Sequence, residues 1–348
     1  MENIYTLVEQ CGLGMIKGNI LPISGGFMHK MFKVQTTTGT YAVKCLNQEI
    51  MSRPDAMENY SEAESLEEVL KRRGIPVVAA LSFDGKKMIP VRGRYYYIFP
   101  WQEGKITDFD LILREQCLKA GEIMGKIHGI DVKYTEPEDP VLSEVDFGKL
   151  LACARKKESI IAPFIEDNIS LLENAQDRLN EARKKLPSIR AICDDDMDPK
   201  NVMWHEGNAY VIDLECLGYG NPISSCLNLA LQWVGTVNDR FNKDNLEAFF
   251  KGYLKAYDNG FRSYDELYGI AYTWIEWLEY NIKRALGTES MDAEEIKLGE
   301  KETINTINRI KYLSSVEEEI CLVLKGLADS NIKEHGSLFP VYCNCRQI

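Results

Sequence analysis

The first hundred residues alternate in the manner of half-buried strands. Met31 to Gln35 alternates apolar with polar positions, and Tyr41 to Cys45 repeats the pattern after Thr38-Gly39. Period-two alternation puts one set of side chains on the core face of a sheet, so the pair reads as a hairpin turning at Thr38-Gly39. Asn19 to Ser24 reads as a strand leading into Gly25-Gly26. Further strands are expected over Val77 to Phe83, Met88 to Val91 and Arg94 to Phe99, the last cut by Pro100. One helix is expected among them, from Asp55 to Arg73, with Ala63, Leu66, Val69 and Leu70 at helical spacing and Gly74 and Pro76 as its stop. Beyond Pro100 the period changes. Leu111 to His128 reads as one amphipathic helix, Phe147 to Lys185 as one or two more, and the chain from Ser224 onward as nearly all helix. A short β-rich stretch, Ile192 to Asp213, interrupts them. This order predicts an α+β fold in two lobes: a small antiparallel sheet with one helix over residues 1–101, and a mainly helical lobe over 102–348.

The chain has 348 residues, 45% of them hydrophobic and 27% charged, with a net charge of -12. Such a length suits two lobes, and an acidic surface of this size argues against nucleic acid and anionic membranes as partners. The ten cysteines contain no CxxC pair, so reduced thiols are expected rather than a disulfide framework. Cys343 and Cys345, with His335 upstream, could bind a metal, but a frayed terminus carrying incidental cysteines is the plainer reading. The N-terminus lacks a signal-peptide core and no apolar run is long enough to span a bilayer, which predicts a cytoplasmic protein.

The densest chemical signal is Asp194-Asp195-Asp196-Met197-Asp198-Pro199-Lys200-Asn201-Val202, followed by Asn208 to Asp213. One Asp stands shortly before an Asn, and a hairpin then brings a second Asp to the end of an apolar strand. Phosphoryl transfer needs a carboxylate to orient the attacking hydroxyl and oxygen ligands for Mg²⁺ beside the phosphates. A loop rich in turn-forming residues needs neither the Asp-to-Asn gap nor the strand ending in Asp.

The run D-x-D-P-K-N followed by V-I-D resembles the catalytic loop and metal-binding segment of the aminoglycoside phosphotransferase and choline kinase families, which share a protein-kinase-like fold. Those families usually show H-x-D-x-x-x-x-N and then I-D-x-E; here Asp194 stands in place of the His. The resemblance implies ATP and Mg²⁺ as cofactors, Asp196 as the catalytic Asp, and Asn201 and Asp213 as metal ligands. It extends to both sides. Ser24, Gly25 and Gly26 resemble the loop over the nucleotide phosphates, where glycines let backbone N–H groups approach. Lys44, closing Tyr41-Ala42-Val43-Lys44, resembles the lysine that contacts the α- and β-phosphates. Glu64 matches the helix carboxylate that pairs with it, with Glu62 as fallback. Phe99, Pro100 and Gln102 resemble the hinge around adenine, the carbonyl of Pro100 and the N–H of Gln102 reading the base. Met124 to Gly129 resembles the L-x-x-L-H helix end of those families, in which His128 is structural. Asp213 runs almost directly into Pro222 and a helix, which leaves no room for the activation loop of protein kinases and favours a small acceptor.

In those families the late helices hold the acceptor. Glu276, Trp277, Tyr280 and Arg284 lie on the shoulder of an otherwise apolar helix, where aromatic rings and a carboxylate can hold an ammonium group. Three readings follow: a kinase for an amine-bearing hydroxyl compound of aminoglycoside type, a choline- or ethanolamine-type metabolic kinase, and a catalytically silent protein that kept the fold. Together, Lys44, Asp196, Asn201 and Asp213 speak against the third. The acceptor, the choice between ATP and GTP and the oligomeric state are left open.

Overall fold

A computed structural model of the protein describes residues 2–23, 29–132, 140–289 and 291–335, with side chains through residue 327. Ser24, Gly25, Gly26, Cys343 and Cys345 lie outside the described residues. By backbone contacts the chain forms two compact units, one comprising Met1–Leu111, Lys126–Val132 and Ala191–Gly220, the other Ile112–Gly125, Lys133–Arg190 and Asn221–Ile348.

The first unit begins with a helix, α1 (Glu2–Gln10), that the strand pattern obscured although Ile4, Leu7 and Val8 sit at helical spacing and are buried. Five strands follow: β1 (Leu21–Ile23), β2 (Lys30–Gln35), β3 (Thr40–Cys45), β4 (Ile89–Val91) and β5 (Arg94–Pro100), in antiparallel order β1-β2-β3-β5-β4. The hairpin at Thr38-Gly39 forms as expected, with Gln35 opposite Thr40. Alternation sorts this sheet's faces. Val43, Cys45, Tyr96 and Ile98 join the α1 residues in one core cluster, while Tyr97 packs with Leu46, Tyr60 and Ala80 in another. Tyr60 belongs to α3 (Ala56–Arg72), which follows a single turn, α2 (Gln48–Met51). The expected strand over Val77 to Phe83 is not one. Its backbone is spent on separate partners: Val78 N–H donates to the Val211 carbonyl at 2.9 Å and Leu81 N–H to the Ile98 carbonyl at 2.8 Å. It therefore passes between elements instead of laddering with either.

The remaining strands of this unit frame the Asp-rich run. They are β6 (Lys105–Ile106), β7 (Ala191–Asp194), β8 (Val202–His205), β9 (Asn208–Val211) and β10 (Leu217–Gly220). β7 pairs with β10, and β6, β8 and β9 form a second small sheet.

The second unit is helical: α4 (Arg114–His128), α5 (Phe147–Lys156), α6 (Ala162–Glu166), α7 (Ile169–Lys185), α8 (Pro222–Trp233), α9 (Lys243–Ala256), α10 (Trp274–Ala285), α11 (Ala293–Ser315) and α12 (Glu317–His335). The stretch Phe147 to Lys185 thus holds three helices, because Pro163 opens a new one at its first turn. Helices α4 and α9 approach through glycine. A Cβ on Gly121 would stand 2.0 Å from the Phe249 carbonyl oxygen, and one on Gly252 2.0 Å from that of Leu118. Among the described residues no helix is long and apolar enough to cross a membrane, and every cysteine is a free thiol.

Candidate active site

The site is assembled by two reversals of the backbone. Leaving β7, the chain turns through Asp195 to Asp198 into a single 3-10 turn, Pro199–Asn201, which the Asp198 side chain caps by accepting from Lys200 N–H. Pro199 suits that first helical position because its missing N–H has no partner there. β8 and β9 then form a hairpin turning at Glu206-Gly207, both at positive φ (49° and 79°), the geometry a two-residue hairpin loop requires. Ile212 N–H donates back to the Asn201 carbonyl at 2.9 Å, which fastens the strand end to the loop. Asp213 follows in a left-handed conformation (φ 61°), and β10 returns beside β7 with Leu217 opposite Asp194. Residues 194–201 and 213–217 are thereby brought side by side.

Asp196 stands at the centre. Its Oδ2 accepts from the Asn201 amide at 2.8 Å and its Oδ1 from the Lys200 ammonium at 3.0 Å. Lys200 also donates to Asp198 Oδ2 at 2.6 Å. Burial pushes the Asp196 carboxyl up to about 6; Lys200 opposes that rise, and the charge of Asp198 adds to it. A base near that value is ionised at neutral pH yet basic enough to take a hydroxyl proton. Asp194, in the place of the usual His, is 3% exposed. Its Oδ1 accepts from Asp196 N–H at 3.3 Å, and its Oδ2 has no hydrogen-bond partner among the described residues. Burial first, and then the Asp196 charge, hold this carboxyl well above the usual range.

Lys44, on β3, is buried and reaches Asp213 Oδ1 and Glu215 Oε2, each at 2.5 Å. Burial works against its charge, but the two carboxylates outweigh it and raise its pKa. The expected pairing of Lys44 with Glu64 is absent. In the β3–β5 register Lys44 lies opposite Tyr97, whose hydroxyl donates to Glu64 at 2.7 Å and occupies that carboxylate. Glu67, one turn on, is held by Lys87 at 2.5 Å and by Ala80 N–H at 3.0 Å.

Asn201 and Asp213 supply oxygen donors of the kind Mg²⁺ takes, and no cluster of three or more His, Cys, Asp or Glu able to hold a metal occurs among the described residues. Mg²⁺ is commonly held by one or two carboxylates together with phosphate oxygens. The gathering of Asp196, Asp198, Asp213 and Glu215 around two lysines also leaves negative charge that a divalent cation would offset.

In the segment expected to meet adenine, Phe99 is half-buried against the Tyr97 ring at 6.2 Å and Pro100 is exposed. Trp101 N–H donates to the Thr40 carbonyl at 3.1 Å, and Gln102 is half-buried. The four late-helix candidates all lie on α10. Glu276 is held by both terminal guanidinium nitrogens of Arg183, at 2.6 and 3.0 Å. Arg284 is buried and bonded to Glu295. Tyr280 stacks on Trp277 with ring centroids 5.5 Å apart, and the Arg284 guanidinium lies over the Tyr280 ring at 6.0 Å. The two charges are therefore already paired, and Trp277 is half-buried beside that stack.

Several participants were not anticipated. Lys200 and Asp198 had a visible signal, being inside the Asp-to-Asn run. Glu215 occupies the Glu position of the I-D-x-E pattern. His29 and Tyr60, which both reach Glu215, carried none.

The model of the phosphotransferase enzyme family matches residues 19–284. No curated protein matches the sequence. Among solved structures, a spectinomycin phosphotransferase in complex with ADP and spectinomycin aligns with a TM-score of 0.65 at 14% identity, over 89% of this chain and 98% of that one. Choline kinase from Cryptosporidium parvum Iowa II aligns at 0.56 and 12% identity, over 94% and 99%. An amicoumacin kinase in complex with AMP-PNP, Ca²⁺ and Ami aligns at 0.57 and 13%, over 86% and 92%. At these identities the likeness speaks to the fold, and the family match covers most of the chain. The protein has the α+β kinase-like fold and belongs to the phosphotransferase enzyme family, as a small-molecule kinase.

Proposed function

We propose that this protein transfers the γ-phosphoryl group of ATP to a hydroxyl of a small, amine-bearing molecule in the cytoplasm. The observation that carries the reading is the convergence of Asp196, Asn201, Lys44 and Asp213 within one compact unit. Mg²⁺, held by Asn201 and Asp213, would supply charge neutralisation across the terminal phosphates. Asp196 accepts the proton of the acceptor hydroxyl, whose oxygen bonds to phosphorus as the bond to the departing diphosphate breaks. Asn201 and Lys200 hold the Asp196 carboxylate in one orientation, so the base is positioned before substrate arrives. Lys44 carries its charge to the α- and β-phosphates, and Phe99 to Gln102 receive the adenine.

The acceptor class is supported by the acidic net charge and by the Trp277 ring face, which suits an ammonium group. Spectinomycin phosphotransferase and choline kinase, which share the fold, are consistent with acceptors of this kind. The test has two steps. Thermal shift with ATP, Mg²⁺ and both together should show the largest stabilisation with both. A coupled assay for ADP release across aminoglycosides, amino alcohols and choline should then give turnover with at least one amine-bearing hydroxyl compound. Turnover only with neutral sugars or nucleosides would reject the acceptor class, and no stabilisation by ATP with Mg²⁺ would reject the nucleotide.

A further inference from the structure

The lysine of the nucleotide site has an unusual set of supports. Glu215, which holds it at 2.5 Å, is itself held from two other elements. His29 stands at the entry to β2 and is 7% exposed. Its Nδ1 accepts from Asn47 N–H at 2.9 Å. That bond leaves Nε2 to carry the ring proton, and Nε2 lies 3.2 Å from Glu215 Oε1 and 3.2 Å from the Tyr60 hydroxyl. Tyr60, from α3, donates in turn to Glu215 Oε2 at 3.4 Å. The donors of this group converge on its carboxylates. Nε2–H is shared between Glu215 and the tyrosine oxygen, the phenol points at the carboxylate, and the Lys44 ammonium meets Glu215 and Asp213.

The carboxylates of α3 are elsewhere. Glu64 is taken by Tyr97, and Glu67 by Lys87 and Ala80. The contribution of α3 to the lysine is therefore a neutral hydroxyl acting through Glu215. The two carboxylates at Lys44 also differ in kind. Asp213 is 37% exposed in its side chain and is the residue that would turn to a metal, whereas Glu215 is 24% exposed and fixed by two donors besides the lysine. Whatever draws Asp213 away leaves Glu215 in place.

We propose that His29 and Tyr60 are positioning residues that fix Glu215 as the permanent counter-ion of Lys44, so that Glu215 rather than Glu64 aims the lysine at the nucleotide phosphates. This rests on the reading of Lys44 as the phosphate-contacting lysine. Removing a buried hydrogen bond to a charged group leaves the lysine free to follow Glu215 away from its line, which should be felt by phosphates and not by adenosine.

The experiment is calorimetry on the full chain with two probes, ATP with Mg²⁺ and adenosine. Tyr60→Phe keeps the ring and its packing but removes the hydroxyl. It and His29→Ala should each weaken ATP binding by about fivefold or more while adenosine stays within about twofold. His29→Gln, whose amide can present N–H where Nε2 does, should recover most of the loss. In combination with Lys44→Met, Tyr60→Phe should add little further, because both act on one interaction. Unaltered ATP affinity in Tyr60→Phe and His29→Ala, with Glu64→Gln as weak as Lys44→Met, would overturn the proposal. So would equal losses for ATP and adenosine, which mark mere structural damage. If Lys44→Met itself binds ATP as the unaltered protein does, the reading of the lysine fails and this proposal with it, an outcome separate from the first.

Discussion

The Asn201 amide donates twice to Asp196, to its Oδ2 and to its backbone carbonyl, both at 2.8 Å. One side chain thus fixes the carboxylate and the loop that bears it. Asp196→Asn keeps the shape but removes the base. It should cut turnover by about a hundredfold or more while ATP affinity stays nearly intact. A variant with half the normal turnover on a verified substrate would end the assignment.

The same carboxylate sets a pH limb. Asp196 must be ionised to act, and burial pushes it up to about 6, so kcat should fall as pH drops through that region. Lys200 pulls in the other direction by stabilising the ionised form. Lys200→Met should therefore move the limb to higher pH, by about half a unit or more. A limb that stays put or moves to lower pH, measured by kcat against pH, would contradict the pairing.

Asp213 should carry the metal dependence of nucleotide binding. Asp213→Ala is expected to abolish most of the affinity that Mg²⁺ adds to ATP and to leave adenosine binding alone. Titration calorimetry with and without Mg²⁺ reads both. Unchanged metal dependence would move the ligand elsewhere.

On α10, Trp277→Leu removes a π face while keeping an apolar side chain. A cation over such a face gains about 0.5–2 kcal/mol, so KM for a cationic acceptor should rise several-fold with KM for ATP unchanged. Glu276→Gln should do less, since Arg183 already occupies that carboxylate. Equal effects on both substrates would mark Trp277 as packing only.

Burial depresses the pKa of His128 to about 3. An unfolded histidine titrates near 6.5, so the neutral form is favoured by folding, and its contribution is complete above that pH and lost as pH falls from 6.5 toward 3. By pH 5 the loss is about 2 kcal/mol. His128→Asn should flatten the decline of the urea midpoint between pH 7 and 5 relative to the unaltered protein. Parallel curves would show that the histidine is not buried neutral.

Gly121 meets the Phe249 carbonyl so closely that a Cβ would stand 2.0 Å from it, and backbone cannot step aside cheaply. Gly121→Ala should lower stability by about 2 kcal/mol or more. A Cβ on Gly326 of α12 would meet nothing within 4 Å among the described residues, so Gly326→Ala should be neutral or slightly stabilising. Two alike urea curves would refute the close approach of α4 and α9.

What the sequence alone determined was local. The step from Asp196 to Asn201 lies within one turn of chain, so spacing was enough to place the two side chains together. The Thr38-Gly39 hairpin and the helix ending at Gly74 likewise depend on neighbours a few residues away. Short-range signals compete at α1, whose helical spacing adjoins a strand-rich region, and over Val77 to Phe83, whose strand-like composition serves an extended passage between two partners. The charge on Lys44 could not be assigned a partner in this way. Its carboxylates stand 169 and 171 positions away, and several acids of α3 are nearer in sequence. Only the β3–β5 register, which sets Tyr97 opposite Lys44 and so gives Glu64 to a phenol, together with the left-handed turn at Asp213 that swings Glu215 inward, decided which anion the lysine meets. Register and chain reversal are properties of the closed tertiary structure, because a shift of one residue in the ladder would send each of these side chains to the opposite face.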